Sequence, residues 1–159
     1  MISKLALTVL FDSVCAIVCV TSLLRGGRPE RFEAMINLTA VALTWALRHW
    51  DVEHFAPADV SIFTIDLAVA AGFFWLAVTT IRFWPIWAAG FALCDLFMSV
   101  LGGLLPSVPL FAYHTQLGIY AYLALGALAI GTYCLPRNAE PHIRNGSRRS
   151  WLQHLKETN

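Results

Sequence analysis

Five long apolar runs, separated only by short polar or proline-containing connections, constrain this chain more than any other feature. The runs cover approximately residues 5–24, 33–50, 60–80, 84–105 and 110–135. A membrane-crossing helix needs about 20 mostly apolar residues, and its backbone hydrogen bonds must be closed within the segment. The pattern predicts an all-α integral membrane protein, a small up-down bundle of about five transmembrane helices. The bundle has four spans if the second, more polar run does not cross.

Composition supports this fold class and limits what else the chain can contain. Of 159 residues, 58% are hydrophobic and 13% are charged, a balance that would over-fill the core of a water-soluble domain. The first run could also be a secretory signal peptide, but Asp12 interrupts its apolar part, so we interpret it as a span. Residues 136–159 form a basic tail, which we expect to be either disordered or folded into a short interfacial helix.

The distribution of basic residues predicts the orientation of the bundle. Nine Lys and Arg residues fall on one side of a five-span arrangement and two, Lys4 and Arg48, on the other. Because cytoplasmic loops carry an excess of Lys and Arg, the N-terminus is expected outside and the C-terminus in the cytoplasm. Short loops with this bias are typical of a bacterial inner membrane.

Several ionisable residues lie inside the apolar runs, where each charge costs at least roughly 2.5 to 3.5 kcal/mol. The predicted intramembrane polar cluster consists of Asp12, Arg48, Asp66, Asp95 and His114. At a rise of about 1.5 Å per residue, all five can lie in the outer half of the bundle. Arg48 and protonated His114 would neutralise some of the aspartates, and an aspartate left without a partner is expected to be protonated.

This cluster has two interpretations, which the sequence leaves open. In the structural one, the polar side chains hold helices together or bind a partner subunit. In the functional one, they form a proton or cation path, or a polar pocket for a small ligand. We favour the structural interpretation, because no other feature of the sequence indicates a pathway.

Small residues recur at helical spacing and predict close helix packing, within the protein or between subunits. The predicted packing positions are Ala68, Gly72, Gly118, Ala127 and Gly131. The leading hypothesis is therefore a structural or accessory membrane subunit that associates with itself or with a larger membrane complex. The alternative is an oligomeric proton, ion or small-metabolite transporter that uses the polar cluster, and a pore-forming protein is a third option.

The remaining chemistry is sparse. No nucleophile, phosphate-loop or zinc-protease motif is present, so neither an enzyme nor a metal site is expected. Bis-histidine haem ligation would need His49 and His114 on facing helices, and we set it aside as the weaker explanation of those residues. Arg148, Arg149 and Trp151 are expected to contact lipid head groups. Membrane lipids and other membrane subunits are thus the expected partners, and nucleic acid is not.

Overall fold

The computed structural model describes residues 2–49, 57–104 and 110–158, and side chains for residues 9–47, 60–101 and 119–157. Within these ranges the chain is all-helical, apart from an isolated antiparallel bridge between Thr80 and Ser147. Its seven helices are α1 (Ile2–Arg25), α2 (Arg28–His49), α3 (Pro57–Thr79), α4 (Trp84–Leu104), α5 (Leu110–Tyr133), α6 (Pro141–Asn145) and α7 (Arg148–Thr158).

The second helix begins earlier than the apolar run that predicted it. Its first residue is Arg28 rather than Glu33, so most of the connection between the first two apolar runs is helix. Pro29 is compatible with a first turn, where its missing N–H would have no helical acceptor, and Glu30 favours the positive end of the helix dipole. Two glycines, Gly26 and Gly27, are all that separate α1 from α2.

Among the described residues, two helices are long and apolar enough to cross a membrane. The qualifying segments are Val60–Thr79 in α3 and Trp84–Leu101 in α4, and in the described part of α5 the apolar segment Ile119–Tyr133 is shorter. Many large apolar side chains on α3 and α4 are exposed, including Phe74 and Phe97. Such an apolar exterior is typical of a helix that faces lipid.

The core divides into two groups of buried residues that share α4 and α5. The first packs α1, α2, the first residue of α4 and α5 together and contains Cys15, Cys19, Ala34, Trp84, Leu125 and Leu128. The second packs α3, α4 and α5 together and contains Phe73, Ala88, Ala89, Ala124 and Ala127. The many alanines let the backbones of α4 and α5, which contact each other most extensively, approach closely.

The predicted packing positions occupy different environments. Ala127 is buried in the second core group, and a Cβ placed on Gly72 would lie 2.9 Å from Ile36 Cδ1. A Cβ on Gly131 would overlap the indole ring of Trp84. Ala68 is exposed on α3, and Gly118 lies outside the residues whose side chains are described.

The tail is folded back on the bundle. The N–H of Ile81 donates to the carbonyl of Gly146 over 2.9 Å, and Arg82 Nη2 donates to the carbonyl of Ile143 over 2.9 Å. The short α6 also contacts α2. The tail is thus helical over α6 and α7, and its position at a membrane interface stays a prediction. We call this end of the bundle, where α1 and α3 end and α2 and α4 begin, the basic end.

Candidate functional site

A cavity of about 430 Å³ lies inside the bundle and is lined by residues from each of the five long helices. Three of its lining residues are Asp12 on α1, Asp66 on α3 and Asp95 on α4. We call it the aspartate cavity. Its other polar lining residues are Cys15, Asn37, Thr44, Trp45, Tyr120 and Tyr122.

Helix geometry explains why these side chains meet. Asp12 and Cys15 are three residues apart, as are Asp66 and Val69, and residues at this spacing lie on the same face of a helix. On α2, Asn37, Val41 and Thr44 follow the same rule. Because each of these faces points toward the bundle axis, polar residues far apart in the chain line one space.

The cavity contains both satisfied and unsatisfied polar atoms. Trp45 Nε1 donates a hydrogen bond to Asp12 Oδ2 over 3.2 Å, which joins α2 to α1. By contrast, Asp95 Oδ1, Asn37 Nδ2 and the Tyr122 hydroxyl are buried and have no hydrogen-bond partner among the described residues. A buried polar atom without a partner costs about 1 to 3 kcal/mol, and the three residues that carry these atoms all line the cavity.

The described lining of the cavity contains acidic side chains but no basic ones. Asp66 and Asp95 lie near enough for their charges to interact, and none of the described lining residues is Lys, Arg or His. Arg48 and His114, the two predicted cationic members of the cluster, lie outside the residues whose side chains are described. Desolvated carboxylates have to be protonated, paired or neutralised by a bound cation. The cavity is therefore suited to a proton or a small cation.

A second polar group, which the sequence analysis did not single out, lies at the basic end. The side chains of Glu30 and Glu33 are both completely buried. Oε1 of Glu30 accepts a hydrogen bond from Trp84 Nε1 over 3.3 Å and lies 3.8 Å from Nε of Arg82. Neither carboxylate oxygen of Glu33 has a hydrogen-bond partner in the described part of the chain. Glu30 is thus paired through Oε1, whereas its Oε2, like both oxygens of Glu33, has no hydrogen-bond partner among the described residues.

These two groups are connected by one polar stripe along α2. Four polar residues of α2 follow one another at intervals of three, four and seven residues, which is the spacing of a single helix face. They are Glu30, Glu33, Asn37 and Thr44. Asn37 and Thr44 line the aspartate cavity, and Glu33 lies about 6 Å from Asn37 along the helix axis. The spacing was visible in the sequence and could have identified Glu33 and Asn37.

Sulfur and histidine clusters offer weaker sites. The Sγ atoms of Cys15 and Cys19 are 3.9 Å apart within the first core group, as expected for packing residues. Ligand atoms of Glu140, His142 and His154 lie within 4.8 Å of one another in the tail. The two imidazole rings stack at 3.9 Å with an interplanar angle of 13°, so their nitrogen lone pairs lie in two separate, nearly parallel planes, an arrangement poorly suited to binding one ion between them. His49 and His114, the haem candidates, lie outside the described side chains.

The predicted lipid contacts lie on the folded tail. Arg148 and Arg149 are exposed at the start of α7. The ring of Trp151 lies 5.5 Å from that of His142, so part of its surface packs within the tail.

The chain was compared with protein families, curated proteins and solved structures, and no family, protein or structure matches it.

Proposed function

We propose that the protein is a small multi-pass membrane protein of about five spans that binds and transfers protons or small cations through the aspartate cavity. The apolar runs support membrane insertion, and the charge bias supports an external N-terminus and a cytoplasmic basic end. This orientation is the one expected for a bacterial inner-membrane protein.

One observation carries the proposal: aspartates from three helices line a single cavity whose described lining contains no basic side chain. If the aspartates served only to join helices, we would expect each to have a protein hydrogen-bond donor. Asp12 has one in Trp45, but Asp95 Oδ1 is buried without one among the described residues. A cavity of about 430 Å³ has room for several waters or a small organic cation.

The polar stripe on α2 supplies the remainder of a path. A cation that enters the cavity from the predicted outer side would meet Asn37 and then Glu33, whose carboxyl is buried toward the basic end. Glu33 has no cationic partner, so it can take up and release a proton, whereas Glu30 is held by Arg82 and Trp84. We therefore assign binding to the three aspartates and proton transfer beyond them to Glu33.

The test is a flux measurement on purified protein reconstituted into liposomes that contain a pH-sensitive dye. An imposed potential should drive proton entry in the wild type, and Asp95→Asn should reduce the rate at least tenfold. The exposed Glu157→Gln is the matched control, because it also removes one carboxylate but lies on α7 away from the cavity. If Asp95→Asn and wild type give equal flux of protons, Na⁺ and K⁺, the proposal fails.

A structural or accessory subunit is the second candidate. It is favoured by exposed small residues on the outside of the bundle, including Ala68 and Ala71 on α3 and Gly90 on α4. A Cβ added to Gly90 would meet no atom within 4 Å. Such a surface allows another helix to approach closely. Native mass spectrometry from mild detergent distinguishes the candidates, since an accessory subunit should carry a second copy or another chain, and Ala68→Leu should release it.

A further inference from the structure

A second groove, of about 520 Å³, lies at the basic end between the start of α2, the end of α3 and the folded tail. Its lining is divided by chemistry. Arg28, Arg148 and Arg149 form one part and Phe32, Trp75, Leu76 and Val78 form another. We call it the arginine groove. It is separate from the aspartate cavity, since no residue lines both.

The three arginines give the groove a strong positive charge. All three are exposed, and no Asp or Glu is among the described residues that line the groove. Arg28 is the first residue of α2 and Arg148 the first of α7, so two helix N-termini also direct their positive dipole ends here. Guanidinium groups bind phosphate in a bidentate manner, which makes a phosphate the best-matched ligand for this part.

The apolar part of the groove distinguishes a phospholipid from a soluble phosphate. The rings of Phe32 and Trp75 meet edge to face at 6.3 Å, and both remain exposed, by 44% and 54%. Trp75 and Val78 belong to the last turns of Val60–Thr79, one of the two segments apolar enough to cross a membrane. The apolar wall therefore lies alongside that segment, while the arginines lie just beyond its end. This arrangement matches a lipid acyl chain followed by its phosphate.

We propose that the arginine groove binds one anionic phospholipid, with its phosphate on Arg28, Arg148 and Arg149 and an acyl chain on Phe32 and Trp75. Asn145 adds a polar residue to the lining. Phosphatidylglycerol, whose phosphate gives the lipid its net negative charge, represents this class of ligand. The bound lipid also fastens the tail to the bundle.

The test is titration of the purified full-length protein in neutral detergent with phosphatidylglycerol or phosphatidylcholine, with bound lipid counted by native mass spectrometry. One phosphatidylglycerol should bind at concentrations at which phosphatidylcholine does not. The triple variant R28Q/R148Q/R149Q should weaken this binding at least tenfold. The charge-matched control R137Q/R144Q/K156Q removes three basic residues outside the groove lining and should retain binding within twofold.

Two further measurements separate a lipid site from a phosphate site. Trp75→Ala should weaken phosphatidylglycerol binding several-fold and leave inorganic phosphate binding unchanged, because only the lipid contacts the aromatic wall. Equal loss of binding in both triple variants would overturn the proposal in favour of general charge attraction. Competition by millimolar inorganic phosphate, with no effect of Trp75→Ala, would overturn it in favour of a soluble anion. The thermal unfolding midpoint of each variant in detergent excludes unfolding as the cause.

Discussion

Trp84 donates its indole N–H to Oε1 of Glu30 over 3.3 Å and so joins the first turn of α4 to the first turn of α2. The ring of Trp84 is 1% exposed and lies against Gly131 of α5, where a Cβ would overlap it. One side chain thus holds three helices together at the basic end. It can do so because the partner carboxylate is also held by Arg82, at 3.8 Å.

The Arg82–Glu30 pair leads to the first prediction. Arg82→Gln leaves the carboxylate of Glu30 buried without its cation, and losing one partner of a buried pair costs about 3 to 5 kcal/mol. The shared bond from Trp84 and the 18% exposure of the Arg82 side chain place the expected loss at the lower end of that range. Thermal unfolding in detergent measures it.

The double variant provides the control for this prediction. Arg82→Gln combined with Glu30→Gln removes both charges, so it should be more stable than Arg82→Gln alone. The exposed Arg137→Gln should change stability by less than about 0.5 kcal/mol. If the double variant were less stable than wild type by the sum of the two single losses, Arg82 and Glu30 would act independently.

A pair of glycines on α5 gives a prediction with an internal control. Gly131→Ala places a methyl group against the indole of Trp84 and should destabilise the protein by about 1 to 3 kcal/mol. Gly126→Ala, on the same helix, meets no atom within 4 Å and should be neutral or stabilising, by up to about 1 kcal/mol, because alanine favours helix. Equal unfolding midpoints for the two variants would contradict the close approach of Trp84.

Gly27 controls how the tail docks on the bundle. A Cβ at Gly27 would overlap the carbonyl oxygen of Arg144 and lie 2.9 Å from Glu30 Oε2. Gly27→Ala should therefore push α6 away and increase opening of the tail about fivefold or more, the equivalent of about 1 kcal/mol. Limited trypsin digestion should then cut at Arg148 and Arg149 faster than in wild type. Gly90→Ala, which meets no atom within 4 Å, should leave the digestion rate unchanged.

The apolar runs were sufficient to predict where the long helices lie, because length and hydropathy are local properties of the chain. Counting depth along those runs predicted that Asp12, Asp66 and, nearer the middle, Asp95 lie in the outer half of the bundle. The depth in a membrane stays a prediction, while in the structure all three residues line one cavity. Their pairing with Arg48 and His114 stays a prediction. The bundle of about five spans also remains a proposal, since two helices meet the spanning criterion among the described residues.

The contacts that the sequence did not predict are tertiary contacts. Arg82 was interpreted only as one of the basic residues that set the orientation. Nothing in the sequence around Arg82 indicates that it contacts Glu30, which lies on α2 and also accepts a hydrogen bond from Trp84 of α4. The polar residues of α2 made that run look like a weak span. On the helix, the same residues form the polar stripe from Glu30 to Thr44. The polar residues that made α2 a weak candidate for a span therefore mark the face of α2 that points into the bundle.

One buried hydroxyl in the bundle has a protein partner and another has none among the described residues. This difference allows a last prediction, which distinguishes a structural role of a polar side chain from a role in transport. Ser22 Oγ and Thr132 Oγ1 lie 2.8 Å apart and join α1 to α5, so Ser22→Ala leaves Thr132 without this partner and should cost about 1 to 2 kcal/mol. The Tyr122 hydroxyl has no partner among the described residues, so Tyr122→Phe should not lower stability. If the aspartate cavity carries a cation, however, Tyr122→Phe should slow flux in liposomes while Ser22→Ala, at matched folded protein, should not. The reverse pattern, with Tyr122→Phe unstable and its flux unchanged per folded molecule, would make that hydroxyl a structural group and count against a path through the cavity.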